Sequence, residues 1–238
     1  MNRRGFVVGS CLLLMMSSLL SGEKRQNART AVSALATTLD LSEAGAKRWL
    51  KRLGVTPKGA QVERLLVMSA TGEVLIERHG DQSSVTVDAE IDNLLYRSDK
   101  ALVLIHNHPA SVGLSFADML HLTKPGLAAI VAVGHDGSVF AAAAGPRIDR
   151  LWFADEQYAI AKAEVVRRLR ADWPVGSVSI RPGDAHTSHL IALTLAKARI
   201  IDYWFSIRGR SERSYVPARF IFNWITARAA NKLMIDRQ

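Results

Sequence analysis

Apolar positions in the middle of the chain occur in short runs separated by turn residues, a pattern typical of β-strands. VERLLVMS (62–69) and EVLIER (73–78) flank Ala-Thr-Gly, which predicts a β-hairpin. SVTV (84–87) predicts a further short strand. ALVLI (101–105) shows no polar alternation, and this indicates a strand buried on both faces.

The same region contains signals for two short helices and a second hairpin. Asp88 is expected to cap a helix through Tyr96, and Ser115 to Thr123 forms a short helix ended by Lys-Pro-Gly. LAAIVAV and SVFAAAA predict two strands joined by a turn at Gly134–Gly137. Segment 59–145 is therefore predicted to be a compact mixed α/β unit.

Both flanks have helical periodicity. Residues 27–53 predict a lead-in helix, with Asp40 at a cap-like position, and the chain beyond Pro146 predicts three helices over about 150–171, 186–205 and 217–235. The fold class expected is α/β, a mixed sheet with flanking helices and a helical C-terminal extension. The expected division is a possible signal or anchor segment (1–22), a helical lead-in (23–58), the α/β domain (59–146) and a basic helical extension (147–238).

The N-terminal segment supports two opposite predictions. Arg3 and Arg4 precede an uncharged stretch from Gly5 to Gly22, the general plan of a signal peptide or membrane anchor. However, Leu19 and Leu20 stand where a cleavage site needs small residues. Export, anchoring and a cytoplasmic location thus remain open, and the chemistry below favours the cytoplasm.

Charge and cysteine content narrow the functional classes. The formal net charge of +9 is unevenly distributed along the chain. Residues 1–58 carry 10 Lys/Arg and 3 Asp/Glu, residues 59–146 carry 5 and 10, and residues 147–238 carry 16 and 9. The basic flanks suit nucleic acid, anionic lipid or an acidic partner, although solvated polar faces of the predicted helices are the simpler explanation. Cys11 is the single cysteine, which excludes zinc sites built on paired thiolates.

The most informative stretch is HNHPASVGLSFAD, from His106 to Asp118. In an extended segment, residues two apart point to the same side, so His106 and His108 can converge while Asn107 faces away. Asp118, in the first turn of the helix after Ser115, can turn back toward them. Two imidazoles and one carboxylate leave a fourth zinc position open, as in catalytic sites.

Glu63 is the candidate general base. It shares the strand phase of Leu65 and Val67, so its carboxylate points where a core side chain is expected, a costly position without a partner. Simpler explanations exist for each piece: His-x-His pairs occur in ordinary loops, and Ser115-x-x-Asp118 also matches a helix capping box.

Taken together, these residues resemble the JAMM (MPN/JAB) metallopeptidase motif, an upstream glutamate followed by His-x-His-Pro, a serine, two residues and an aspartate. HNHPAS is similar to the RadC-like and phage-associated bacterial branches, although Ala110-Ser111 replaces the usual Ser-Gly and the six-residue loop before Ser115 is one residue shorter than usual. The resemblance covers roughly 61–145. It implies a JAB/MPN-like fold and one zinc ion per chain.

The resemblance also implies a role for each residue. Zinc is expected on His106, His108 and Asp118, with Glu63 as acid/base and Ser115 as hydrogen-bond donor to the oxyanion. The function implied is zinc-dependent hydrolysis of an amide or isopeptide bond in a protein or peptide substrate.

The alternative is a non-catalytic module of the same fold whose basic helices contact nucleic acid or a protein. A membrane partner is expected only if residues 1–22 act as an anchor, and the oligomeric state is open. Among the other histidines, His121 lies one helical turn past Asp118 and could face the mouth of the site, although a position on the helix surface is expected. His186 and His189 of the DAHTSH stretch are expected at a helix start, with exposed imidazoles.

Overall fold

A computed structural model of the chain describes residues 37, 39–55, 62–82, 84–98, 101–171 and 186–235. Its centre is a six-stranded mixed sheet in the order β2-β1-β3-β4-β5-β6. The β3–β4 pair is parallel and the other neighbouring pairs are antiparallel. The strands are β1 (Arg64–Ser69), β2 (Val74–His79), β3 (Leu102–His108), β4 (Leu127–Gly134), β5 (Val139–Ala144) and β6 (Ile201–Ser206).

Helices cover both faces of the sheet, which confirms the α/β class with a helical C-terminal part. One face packs under α1, and the opposite face packs against the helices that follow in the chain. A six-residue π-helical turn, Phe153–Tyr158, leads directly into α4. The helices are α1 (Glu43–Arg52), α2 (Ala89–Arg97), α3 (Phe116–Leu120), α4 (Ala159–Ala171), α5 (Thr187–Lys197) and α6 (Gly209–Ile235), with a 3-10 turn at His121–Thr123.

Strand β3 carries His106 and His108 at its carboxyl end. All seven of its residues are buried, as the uninterrupted apolar run predicted. Leu104 faces one core and Ile105 the other. Full burial of each such side chain contributes about 1.5–3 kcal/mol. The hairpin of β1 with β2 and the β4–β5 pair are also confirmed.

Three local predictions are wrong. Residues 84–87 form no strand. The helix expected over 186–205 ends at Lys197, and β6 follows, paired with β5 at the edge of the sheet. Helix α6 begins at Gly209 and includes Pro217 in its interior. Segment 201–206 becomes a strand because the free edge of β5 offers it backbone hydrogen bonds that its own periodicity does not reveal.

The N-cap of α2 is the residue expected from the sequence, and the N-cap of α1 is a different one. Asp88 caps α2 by accepting a hydrogen bond from the Ile91 amide. At α1 the N-cap is Ser42, while Asp40 has a positive φ and pairs with Arg48. The earlier part of the predicted lead-in helix, and residues 1–22, lie outside the described residues. Within the described part of the chain, no helix has the length and apolar character needed to cross a membrane.

Candidate metal centre

His106 and His108 converge at the carboxyl end of β3. Both are buried, and their Nε2 atoms lie 2.8 Å apart. They point to the same side of the sheet because their positions differ by one strand period. Asn107, between them, turns to the opposite face, as predicted.

Asp118 completes the group from the first turn of α3. Its Oδ1 lies 3.2 Å from His106 Nε2, and its Oδ2 lies 3.5 Å from His108 Nε2. A reciprocal capping box holds the carboxylate in place: the Ser115 amide donates to Asp118 Oδ2 at 2.7 Å, and the Asp118 amide donates to Ser115 Oγ at 3.1 Å. The structure thus brings these residues together around one point.

A hydrogen bond fixes the orientation of the His108 ring. Its Nδ1 lies 3.0 Å from the Val112 carbonyl oxygen, which only accepts hydrogen bonds. Nδ1 must therefore carry a proton, and in the neutral ring the lone pair is on Nε2, facing Asp118 and His106. A carbonyl partner on the far nitrogen is a common support for a ligating histidine. Among the described residues, the buried Nδ1 of His106 has no hydrogen-bond partner.

The electrostatics favour an ionised carboxylate. Burial by itself would raise the pKa of Asp118, but the charges and hydrogen bonds of His106 and His108 outweigh it and hold that pKa well below its ordinary value. Burial opposes charge on His108 as well, yet its bond to Asp118 leaves the pKa raised. The site therefore places a carboxylate anion beside two imidazole rings in a buried position.

The donor set fits a four-coordinate metal ion. One ligand atom from each of His106, His108 and Asp118 lies within 4.8 Å of the other two. Tetrahedral coordination with Zn–N bonds of about 2.0–2.1 Å would set neighbouring ligand atoms about 3.3 Å apart. The two imidazole nitrogens are closer than this, at 2.8 Å, while Asp118 Oδ1 lies 3.2 Å from His106 Nε2 and Asp118 Oδ2 lies 3.5 Å from His108 Nε2. The group is thus within metal-ligand distance, and its nitrogen and oxygen atoms suit zinc.

Glu63 lies at the same site. It precedes β1, its side chain shares the face of Leu65, and it is 9% exposed. Burial raises the pKa of its carboxyl, although His108 and His106 partly oppose the shift. Among the described residues none donates a hydrogen bond to this carboxylate. An acid that is buried and free of such bonds can exchange a proton with a water or substrate in the pocket.

A pocket of about 510 Å³ opens over the group. The five residues singled out from the sequence all line it: Glu63, His106, His108, Ser115 and Asp118. Apolar side chains supply much of the remaining wall: Leu65, Val85, Val87, Leu104, Val112 and Ile130. The pocket admits a ligand to the open side of the three metal-capable residues.

The loop between His108 and Ser115 is held by the C-terminal part of the chain. Ser111, at a positive φ of 55°, accepts a hydrogen bond at its Oγ from the Asp136 amide. Ser211 of α6 donates from its hydroxyl to the Ser111 carbonyl at 3.3 Å and from its amide to Asp136 Oδ2 at 3.2 Å. Residues beyond 146 therefore support the loop that orients His108.

His121 lines the same pocket, the alternative to the helix-surface position expected from the sequence. It lies one helical turn after Asp118, burial lowers its pKa, and its buried Nδ1 has no partner among the described residues. The i, i+3 spacing from Asp118 was the signal for this placement.

The expectation of exposed imidazoles at His186 and His189 is wrong. His186 is 4% and His189 0% exposed. His189 Nδ1 lies 2.9 Å from the Tyr203 hydroxyl, and His186 Nε2 lies 2.7 Å from Ser214 Oγ. The rings pack among aromatic side chains of β6 and α6, so they belong to the core. Asp184 of the same stretch lies outside the described residues.

Comparison with known proteins returns no match to a family, to a curated protein or to a solved structure.

Proposed function

We propose that this chain is a zinc-dependent peptidase or isopeptidase of the JAMM/MPN type. The observation that carries the proposal is the placement of a buried carboxylic acid, Glu63, in the same pocket as the open group of His106, His108 and Asp118. A purely structural metal site would be closed by a fourth protein ligand and would need no adjacent acid.

Each residue has a defined task in this proposal. Zinc, held by His106, His108 and Asp118, would lower the pKa of a water in the pocket from about 15.7 to near 7. Glu63 takes the proton from that water at its carboxylate oxygen and passes it to the leaving amine. Its raised pKa suits this exchange, since a carboxyl at its ordinary value holds a proton poorly near neutrality.

Ser115 can act as a cap and as a catalytic donor at once. Its Oγ accepts a hydrogen bond from the Asp118 amide, which uses a lone pair and leaves the hydroxyl proton free. That proton can be donated to the oxyanion of an amide under attack. The two roles that the sequence left as alternatives are therefore compatible.

The deciding experiment measures zinc and hydrolysis on the full chain. Elemental analysis should give close to one zinc per chain, and a mixture of fluorogenic peptides and lysine isopeptide conjugates would serve as the hydrolysis probe. Glu63→Gln should retain zinc and lose hydrolysis, whereas His108→Ala should lose both. The matched control is His79→Ala, an exposed histidine paired with Glu77, which should change neither.

Absence of zinc after reconstitution of the wild-type chain would overturn the proposal. If the wild-type chain binds zinc but cleaves no probe, and Glu63→Gln behaves like the wild type, the site is a non-catalytic metal centre.

A second candidate is a binding module, and the exposed side of α6 favours it. Phe220 is 84% exposed, Trp224 is 38% exposed, and the guanidinium of Arg228 lies 4.9 Å from the Trp224 ring centroid. Aromatic side chains beside arginines suit single-stranded nucleic acid. If this candidate is right, the chain binds a single-stranded oligonucleotide, and the affinity falls steeply as the salt concentration rises. Trp224→Ala should abolish this binding.

A further inference from the structure

Asn107 occupies the middle of the His-x-His sequence and makes three side-chain hydrogen bonds. It is 0% exposed and lies on the opposite face from His106 and His108. Its Oδ1 accepts a hydrogen bond from the Arg64 amide at 2.9 Å, and its Nδ2 donates to the Val62 carbonyl at 2.9 Å. Nδ2 also lies 2.9 Å from His135 Nε2.

The orientation of this carboxamide is fixed by its backbone partners. The Arg64 amide can only donate, and the Val62 carbonyl can only accept. Reversing oxygen and nitrogen would break both bonds, so the amide cannot be turned over without loss. The second Nδ2 proton is then directed at His135 Nε2.

The two backbone partners are the residues on either side of Glu63. The β1–β3 pairing ends at Leu65 and His106, and the Asn107 side chain continues the connection beyond that point. On the other edge, the Glu63 amide donates to the Asp81 carbonyl at 2.6 Å, and the Glu63 carbonyl accepts from the Gly80 amide at 2.8 Å. Segment 62–64 is therefore held from both sides.

We propose that Asn107 is a positioning residue that fixes Glu63 relative to the two histidines. Asn107 belongs to the same strand as His106 and His108. Its carboxamide therefore connects β3 by hydrogen bonds to the backbone on either side of Glu63. A hydrophobic side chain of similar size could fill the space but could not hold residues 62 and 64. The inference rests on the proposed function for the catalytic role of Glu63.

Loss of the carboxamide should free the Glu63 segment without disturbing the ligands. His106 and His108 are held by the parallel pairing of β3 with β4, opposite Ala132 and Gly134. The Arg64 amide and the Val62 carbonyl would instead lose their partners on β3. Among the described residues, the segment would keep its contacts on the β2 side, with Gly80 and Asp81 and through the pairing of Arg64 with His79. A displacement of about 1 Å in a reacting group is enough to cost about a hundredfold in rate.

The test compares Asn107→Leu and Asn107→Thr with the wild-type full chain after zinc reconstitution. Hydrogen exchange of the Arg64 amide, followed by NMR, should accelerate by about tenfold or more in both variants. Zinc content and the absorption spectrum of the cobalt(II)-substituted protein should stay unchanged. On any peptide that the wild type cleaves, kcat should fall about a hundredfold with KM within about twofold.

The matched control is Ile225→Val, which shortens a fully buried side chain of α6 and leaves a small cavity. It should lower thermal stability while leaving Arg64 exchange and kcat unchanged, and this separates positioning from general destabilisation. If Asn107→Leu does not fold, the test rests on Asn107→Thr alone, whose side chain favours a strand.

One measurement needs no variant. The wild-type chain should show a scalar coupling through the hydrogen bond between the Arg64 amide nitrogen and the Asn107 side-chain carbonyl carbon. Absence of this coupling, or an Arg64 amide as protected in the variants as in the wild type, would overturn the inference. If the wild-type chain binds zinc but hydrolyses no peptide, the result counts against the proposed function. The exchange rate of the Arg64 amide would then decide by itself whether Asn107 holds the Glu63 segment.

Discussion

Gly113 lies directly against the backbone of His189. A Cβ placed on Gly113 would lie 3.0 Å from the His189 backbone nitrogen and 3.1 Å from its Cα. The loop after His108 therefore packs on the first turns of α5 without space for a side chain. Because Val112, in the same loop, orients the His108 ring, this contact links the C-terminal helices to the metal-capable group.

Gly113→Ala should weaken metal binding. The added methyl group meets backbone atoms that cannot rotate away, so the loop must shift and carry the Val112 carbonyl with it. We expect a loss of about 1–3 kcal/mol in the free energy of unfolding and about tenfold weaker zinc binding, measured by thermal unfolding and by chelator competition. Ala110→Ser, an exposed change in the same loop, is the control and should retain zinc affinity. Wild-type zinc affinity in Gly113→Ala would contradict the link.

Ser115→Ala and Ser115→Gly should separate the capping role from the catalytic role. Alanine at an N-cap costs about 1 kcal/mol, whereas glycine costs only a few tenths. Both variants remove the hydroxyl proton. We therefore expect thermal unfolding to distinguish the two variants, while hydrolysis of a cleavable peptide falls by a similar factor of about 10² or more in both. If hydrolysis instead followed stability, Ser115 would be a cap alone.

His189 should make the protein sensitive to mild acid. Burial lowers its pKa to about 3, compared with about 6.5 in the unfolded chain. Between these values the unfolded chain binds the proton more readily, so the free energy of unfolding should fall as the pH drops below 6.5. The slope from this residue is about 1.4 kcal/mol per pH unit, and the stabilisation is fully present above 6.5.

The check is chemical denaturation between pH 6 and 4.5. His189→Gln, which cannot titrate, should show a shallower decline than the wild type across this range. His79→Gln changes an exposed histidine and should leave the slope unchanged. Equal slopes for the wild type and His189→Gln would show that His189 does not remain neutral in the folded protein.

Much of the sheet and the ligand group could be predicted from the order of residues. The unbroken apolar run before His106 is compatible with few structures besides a buried strand, and strand periodicity then places His106 and His108 on one side. The capping spacing of Ser115 and Asp118 fixes the start of α3. These features are local, because they depend on residues within one or two turns of each other.

The tertiary structure decided the features that depend on distant partners. Segment 201–206 is a strand because β5 presents an unpaired edge. His186 and His189 are buried because β6 and α6 close over them, although the polar DAHTSH sequence favours a surface position. The position of Glu63 depends on Asn107, which is 44 residues away in the chain and holds residues 62 and 64 through its side chain. Hydrophobic periodicity carries no information about such pairings, since they form only when separate elements meet.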